Sequence, residues 1–121
     1  MIIRGQVQTG LGKASGQTKL SLRDLTRALG VTPVPGTLNV RLAEGFVAPK
    51  GARPIRIDRI GERDMPFFLF AGHVGTYSVW VTRSLSQMQL TDDSLELLST
   101  VHLRTVLGIQ DGDIVTIDLE E

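Results

Sequence analysis

Apolar residues alternate with polar ones in stretches of no more than about eight residues, and glycine, proline or aspartate interrupts each stretch. Tyr77, Val79 and Val81 alternate with Ser78, Trp80 and Thr82, and Ile55 and Ile57 alternate with Arg56 and Asp58. Short strands separated by turns favour closure into a barrel, because closure removes the exposed edges that an open sheet keeps. The pattern predicts six strands: residues 1–9, the stretch ending at Leu42, Ile55 to Ile60, Pro66 to Gly72, Val74 to Arg83, and Ile114 to Leu119. Phe46 is expected to anchor the loop over 43–53, and Asp111-Gly112-Asp113 reads as a tight turn.

Helices are the minor component. Leu22, Leu25 and Leu29 recur at spacings of three and four, with Ser21 as N-cap, Asp24 as its capping-box partner and Gly30 as the C′ residue. Arg23 and Arg27 then lie on a solvated face. A second helix is expected from Thr91 to Leu98, where Asp92 and Asp93 suit the first turn. A third is expected over Val101 to Leu107, ending at Gly108. Residues Ser84 to Leu90 carry no clear pattern.

Composition narrows the function. With 121 residues the chain reads as one domain, residues 1–121, able to bury a core. Thirteen basic and 13 acidic residues cancel, which disfavours a life on phosphate backbones, so no nucleic-acid partner is expected. The absence of cysteine removes disulfides, thiolate zinc sites and cysteine nucleophiles. The longest apolar run, around Phe67 to Ala71, is too short to span a bilayer, and Met1 runs into a strand pattern with no leader behind it. A cytoplasmic monomer is expected. His73 and His102 have no third ligand at zinc spacing and read as local hydrogen-bonding residues.

Two stretches remain. Pro33-Val34-Pro35-Gly36-Thr37-Leu38-Asn39-Val40 leads into a strand in which Thr37 and Asn39 share one face while Leu38 and Val40 share the other. Two neutral oxygens side by side suit Mg²⁺, which takes few protein ligands and relies on water and phosphate for the rest. Spacing alone favours the simpler reading, in which both side chains satisfy turn backbone groups. Gly10, Leu11, Gly12, Lys13, Ala14 and Ser15 form a glycine-rich loop whose N–H groups can wrap phosphate oxygens. By itself that loop reads more readily as a plain connection.

Four stretches together resemble the CTP-dependent riboflavin kinase family, best known from archaea. They are Gly5-Gln6-Val7 with Gly10 to Ala14, Leu29-Gly30 with Pro33 to Leu42, Leu95 to Leu98, and Leu103-Arg104 with Leu107-Gly108 and Asp111 to Val115. The resemblance implies a mainly β fold, a six-stranded cradle-loop barrel with two or three short helices. It also implies transfer of the γ-phosphate of CTP to riboflavin, giving FMN and CDP, with Mg²⁺ as cofactor. By the same resemblance Gly10 to Ser15 and Val101, His102, Leu103 and Arg104 contact the nucleotide, and Thr37 and Asn39 hold the metal. Glu96 contacts the flavin and is the candidate base, and Ser84 is a second flavin residue. Alternatives are a kinase for another small alcohol or another nucleotide, and a DNA-binding barrel of the swapped-hairpin type, suggested by the Leu-Gly…Asp-Gly-Asp ending. A nucleotide- or flavin-binding module without turnover is a further one.

Overall fold

The computed structural model describes residues 1–9, 22–34, 37–58, 66–84 and 93–121. Within them the chain forms β1 (Ile2–Gln8), α1 (Leu22–Leu29), β2 (Leu38–Leu42), β3 (Ile55–Ile57), β4 (Phe67–Val74), β5 (Tyr77–Ser84), β6 (Ser94–Ser99), α2 (Leu103–Leu107) and β7 (Ile114–Leu119). Hydrogen-bonded neighbours run in the order β3-β4-β5-β6-β2-β1-β7, and β7 returns to pair with β4. Every pairing is antiparallel. Six strands therefore close into a barrel, and β3 lies outside it against β4.

The expected barrel is present, but one of its strands was read as a helix. Residues 94–99, which overlap the expected helix from Thr91 to Leu98, form β6 and pair with β2 on one side and β5 on the other. Leu95 and Leu97 point into the barrel while Glu96 and Leu98 point out, a period of two. Leu98 is buried on the outer side as well, so the apolar residues 95, 97 and 98 imitated a helical stripe. The strand expected at Ile55 to Ile60 is the outer strand β3, and Ile60 lies outside the described residues. Also outside them are the cap Ser21, the polar turn at 61–65, Thr91, Asp92 and most of the segment after Ser84.

Two apolar layers account for the packing. Val7, Val40, Val81, Leu95, Leu97 and Ile117, each 2% exposed or less, fill the barrel. Leu103 of α2 joins this core, as does Phe46 from the loop after β2, which meets Phe70 edge-to-face at 5.5 Å. Arg83 was not singled out by the sequence, yet its side chain is wholly buried beside Phe46. Its guanidinium stands 5.0 Å over the Phe46 ring, and Nη1 donates to the Ser94 carbonyl at 2.6 Å.

The second layer lies on the outer face, where Leu25 of α1 packs with Ile57, Phe67, Leu69 and Leu98. Helix α1 ends as expected at Gly30, whose φ of 75° suits glycine and whose N–H bonds Thr26 at 2.9 Å. Leu22, expected on its apolar face, is 43% exposed.

Closure depends on a glycine. Gly72 pairs with Leu119 where β4 meets β7, and a Cβ there would sit 2.5 Å from the Asp118 carbonyl oxygen. Gly72→Ala should therefore destabilise the fold by about 1–3 kcal/mol in urea unfolding. An unchanged midpoint would mean that the two strands can separate without cost.

Candidate functional site

Antiparallel order places several connections at one end of the barrel. There β1 leaves through Thr9, Thr37 enters β2, β6 passes into α2, and residues 108–113 enter β7. Val34 N–H bonds the Ser99 carbonyl at 2.9 Å, which holds Val34 against the end of β6. Between these parts is a small open pocket with a cavity volume of about 100 Å³. It is lined by Val34, Thr37, Leu38, Leu97, Ser99 and the run Val101 to Arg104. Thr37 and the whole 101–104 segment, expected to serve metal and nucleotide, thus share one cavity.

A transverse row of side chains crosses the outer face. Gln8 pairs with Asn39, Asn39 with Glu96, Glu96 with Thr82, Thr82 with Leu69, and Leu69 with Ile55. Directly paired residues project on the same side of a sheet, so the row is polar from Gln8 to Thr82 and apolar beyond. The apolar end is the part covered by α1. Thr82, buried, donates from its hydroxyl to the Glu96 carbonyl at 3.4 Å. Burial also raises the pKa of the Glu96 carboxyl above its usual 4.5. Ser84 lies two residues beyond Thr82 on the same face of β5 and is half-buried.

Among the described residues no three His, Cys, Asp or Glu side chains converge to hold a metal. The residues expected to hold a metal are of another kind: Thr37 lines the pocket, and Asn39 is the strand partner of Glu96 on the outer face. Their chemistry, two neutral oxygens and a carboxylate, is that of the hard ligands Mg²⁺ takes alongside water and phosphate.

Arg104 is fixed on the pocket wall. Its Nη2 donates to the Asp111 carboxylate at 2.6 Å and to the Gln8 carbonyl at 3.1 Å. The Thr9 hydroxyl donates to the other oxygen of Asp111. Those two hydrogen bonds, Thr9 first and Arg104 second, hold the Asp111 pKa below the ordinary carboxylate value. His102 precedes α2 in extended conformation, and its Nδ1 lies 2.9 Å from the Thr105 hydroxyl. His73, at the far edge of β4, is exposed and away from this group.

A family model, CTP-dep_RFKase, described as a domain of unknown function (DUF120), matches residues 7–119. The chain belongs to the CTP-dependent riboflavin kinase family. Similar curated proteins agree: a riboflavin kinase of Aeropyrum pernix is 34% identical over 93% of this chain and 90% of that protein. A riboflavin kinase of Methanocella arvoryzae is 33% identical over 98% of this chain but 57% of its own length, and one of Methanococcoides burtonii is 34% identical over 97% and 56%. The chain thus spans most of the first relative and little more than half of the other two.

For this member of the family, Thr37, Asn39, Glu96, Ser84 and Val101 to Arg104 lie on the pocket and the adjoining outer face. Gly10 to Ser15 lie outside the described residues, while Thr9, from which they run, is tied to the pocket wall through Asp111. Sequence reasoning missed Gln8, Thr82 and Asp111 as members of the group. Strand register, which no local pattern reveals, is what joins the first two to Asn39 and Glu96. No helix among the described residues is long and apolar enough to cross a membrane.

Proposed function

We propose that the protein is a CTP-dependent riboflavin kinase that transfers the γ-phosphate of CTP to riboflavin, giving FMN and CDP in the cytoplasm. The observation that carries this reading is the pairing of Asn39 directly with Glu96, next to a pocket that shares Thr37 with the 101–104 segment. Along β2 the groups follow the order that phosphoryl transfer needs. The nucleotide lies at the pocket, Thr37 and Asn39 come next, and Glu96 stands beside them for the acceptor.

Phosphoryl transfer asks the protein mainly for positioning and charge neutralisation. Thr37 and Asn39 would hold Mg²⁺, which supplies positive charge against the nucleotide phosphates. Residues 101–104 line the nucleotide pocket, and the backbone N–H groups of Gly10 to Ser15 are assigned to its phosphates. Glu96 accepts the proton of the riboflavin hydroxyl, a role that its burial favours by making the carboxylate more basic. Ser84, half-buried on the same outer face as Thr82, is assigned as a polar contact to the flavin.

The test is direct. Incubation with Mg²⁺, riboflavin and each nucleoside triphosphate in turn should yield FMN with CTP far more readily than with ATP, GTP or UTP. No FMN with any donor would reject the activity, and equal yields with all four would reject the CTP preference.

A further inference from the structure

Asp111 has no role in the function proposed above, yet it is bonded to two borders of the site. One carboxylate oxygen accepts from Arg104, which lines the pocket, and the other accepts from Thr9, the residue before the glycine-rich segment. Arg104 in turn reaches the Gln8 carbonyl at 3.1 Å, at the end of β1. The turn carrying Asp111 is itself held to β1. Gly112 N–H bonds the Val7 carbonyl at 2.8 Å, Val7 N–H bonds the Asp113 carbonyl at 2.8 Å, and Gln110 N–H bonds the Asp113 carboxylate at 2.8 Å. The turn therefore keeps its place without the Asp111 side chain, which is free to serve something else.

We infer that Asp111 is a positioning residue for the nucleotide: it holds the Arg104 wall of the pocket and the Thr9 root of the glycine-rich segment in one fixed relation. The inference rests on the nucleotide reading of that pocket. Only a carboxylate meets the requirement, since it accepts from both donors at once and offsets the arginine charge. The Asp111 and Arg104 side chains are 51% and 36% exposed, so their ion pair contributes little to folding. A residue that contributes little to the fold but joins two borders of one cavity should show its effect on the ligand.

Titration calorimetry with Mg²⁺ and CTP, and separately with riboflavin, distinguishes the possibilities. Asp111→Asn and Asp111→Ala should weaken CTP binding roughly tenfold, leave riboflavin affinity within about twofold, and keep the melting temperature within about 3 °C of the parent. Asp111→Glu should recover most of the loss. Thr9→Val should weaken CTP less, and combining it with Asp111→Ala should add nothing further, because the two act as a unit. Unchanged CTP affinity in Asp111→Ala would overturn the inference, as would equal losses for CTP and riboflavin, which indicate general loosening. A parent protein that binds CTP without forming FMN would reject the kinase reading alone, because binding is measured without turnover.

Discussion

Asn39→Ala is expected to lose at least about a hundredfold in Mg²⁺-dependent turnover while the barrel stays folded. Asn39 projects from β2 onto the outer face, whereas its neighbours Leu38 and Val40 are 4% and 2% exposed and fill the interior. Truncating the outward side chain leaves that core intact, and the backbone pairing of Asn39 with Gln8 and Glu96 does not need the amide. What disappears is one of the two neutral oxygens proposed for the metal. Far-UV circular dichroism and the urea midpoint should therefore match the parent. The Mg²⁺ concentration for half-maximal rate should rise along with the fall in kcat. Full activity at the original Mg²⁺ concentration would remove Asn39 from the metal seat and leave Thr37 without its partner.

Asn39 also shows where sequence reasoning succeeded. Alternation across Leu38-Asn39-Val40 predicted which side chains face out, because period two is a local property of an extended chain. Phe46 and Gly30 were likewise legible, one as a lone ring in a polar loop and the other as a glycine after a periodic helix. Residues 94–99 were not. The outer face of β6 is covered at Leu98 by the cluster around Leu25, so Leu97-Leu98 breaks the alternation that Ser94-Leu95-Glu96-Leu97 keeps and supplies a helix-like apolar spacing instead.

Arg83 escaped for a similar reason. Its burial depends on Phe46 and on the Ser94 carbonyl, distant positions that only the closed barrel assembles. The individual candidates Thr37, Asn39, Glu96 and Arg104 could be named from motifs, but their mutual arrangement could not. Glu96 stands opposite Asn39 only because β6 is a strand inserted between β2 and β5, and the misread helix would have moved it elsewhere.

That correction bears directly on the second large effect. Glu96→Gln keeps size and shape and removes the ability to take a proton, so kcat should fall by about 10²- to 10⁴-fold. The KM for riboflavin should change little. Burial raises the Glu96 pKa above 4.5, so in the parent the base is lost as pH falls through that raised value. The acid limb of kcat/KM should accordingly lie above the ordinary carboxylate range, and the residual activity of the variant should lack it.

Stability should move the other way. A carboxyl with a raised folded-state pKa stabilises the fold fully only below its unfolded value, and this contribution is lost as pH rises through the folded value. At pH 7 the half-buried carboxylate is therefore a burden, and Glu96→Gln should unfold at a higher urea concentration than the parent. The difference should close as the pH drops below 4.5. A variant that gains stability while losing turnover is the signature of a charge kept for chemistry. One that loses both together would assign Glu96 to the packing of the β2–β6–β5 surface, and the proton acceptor would have to be sought elsewhere on that face.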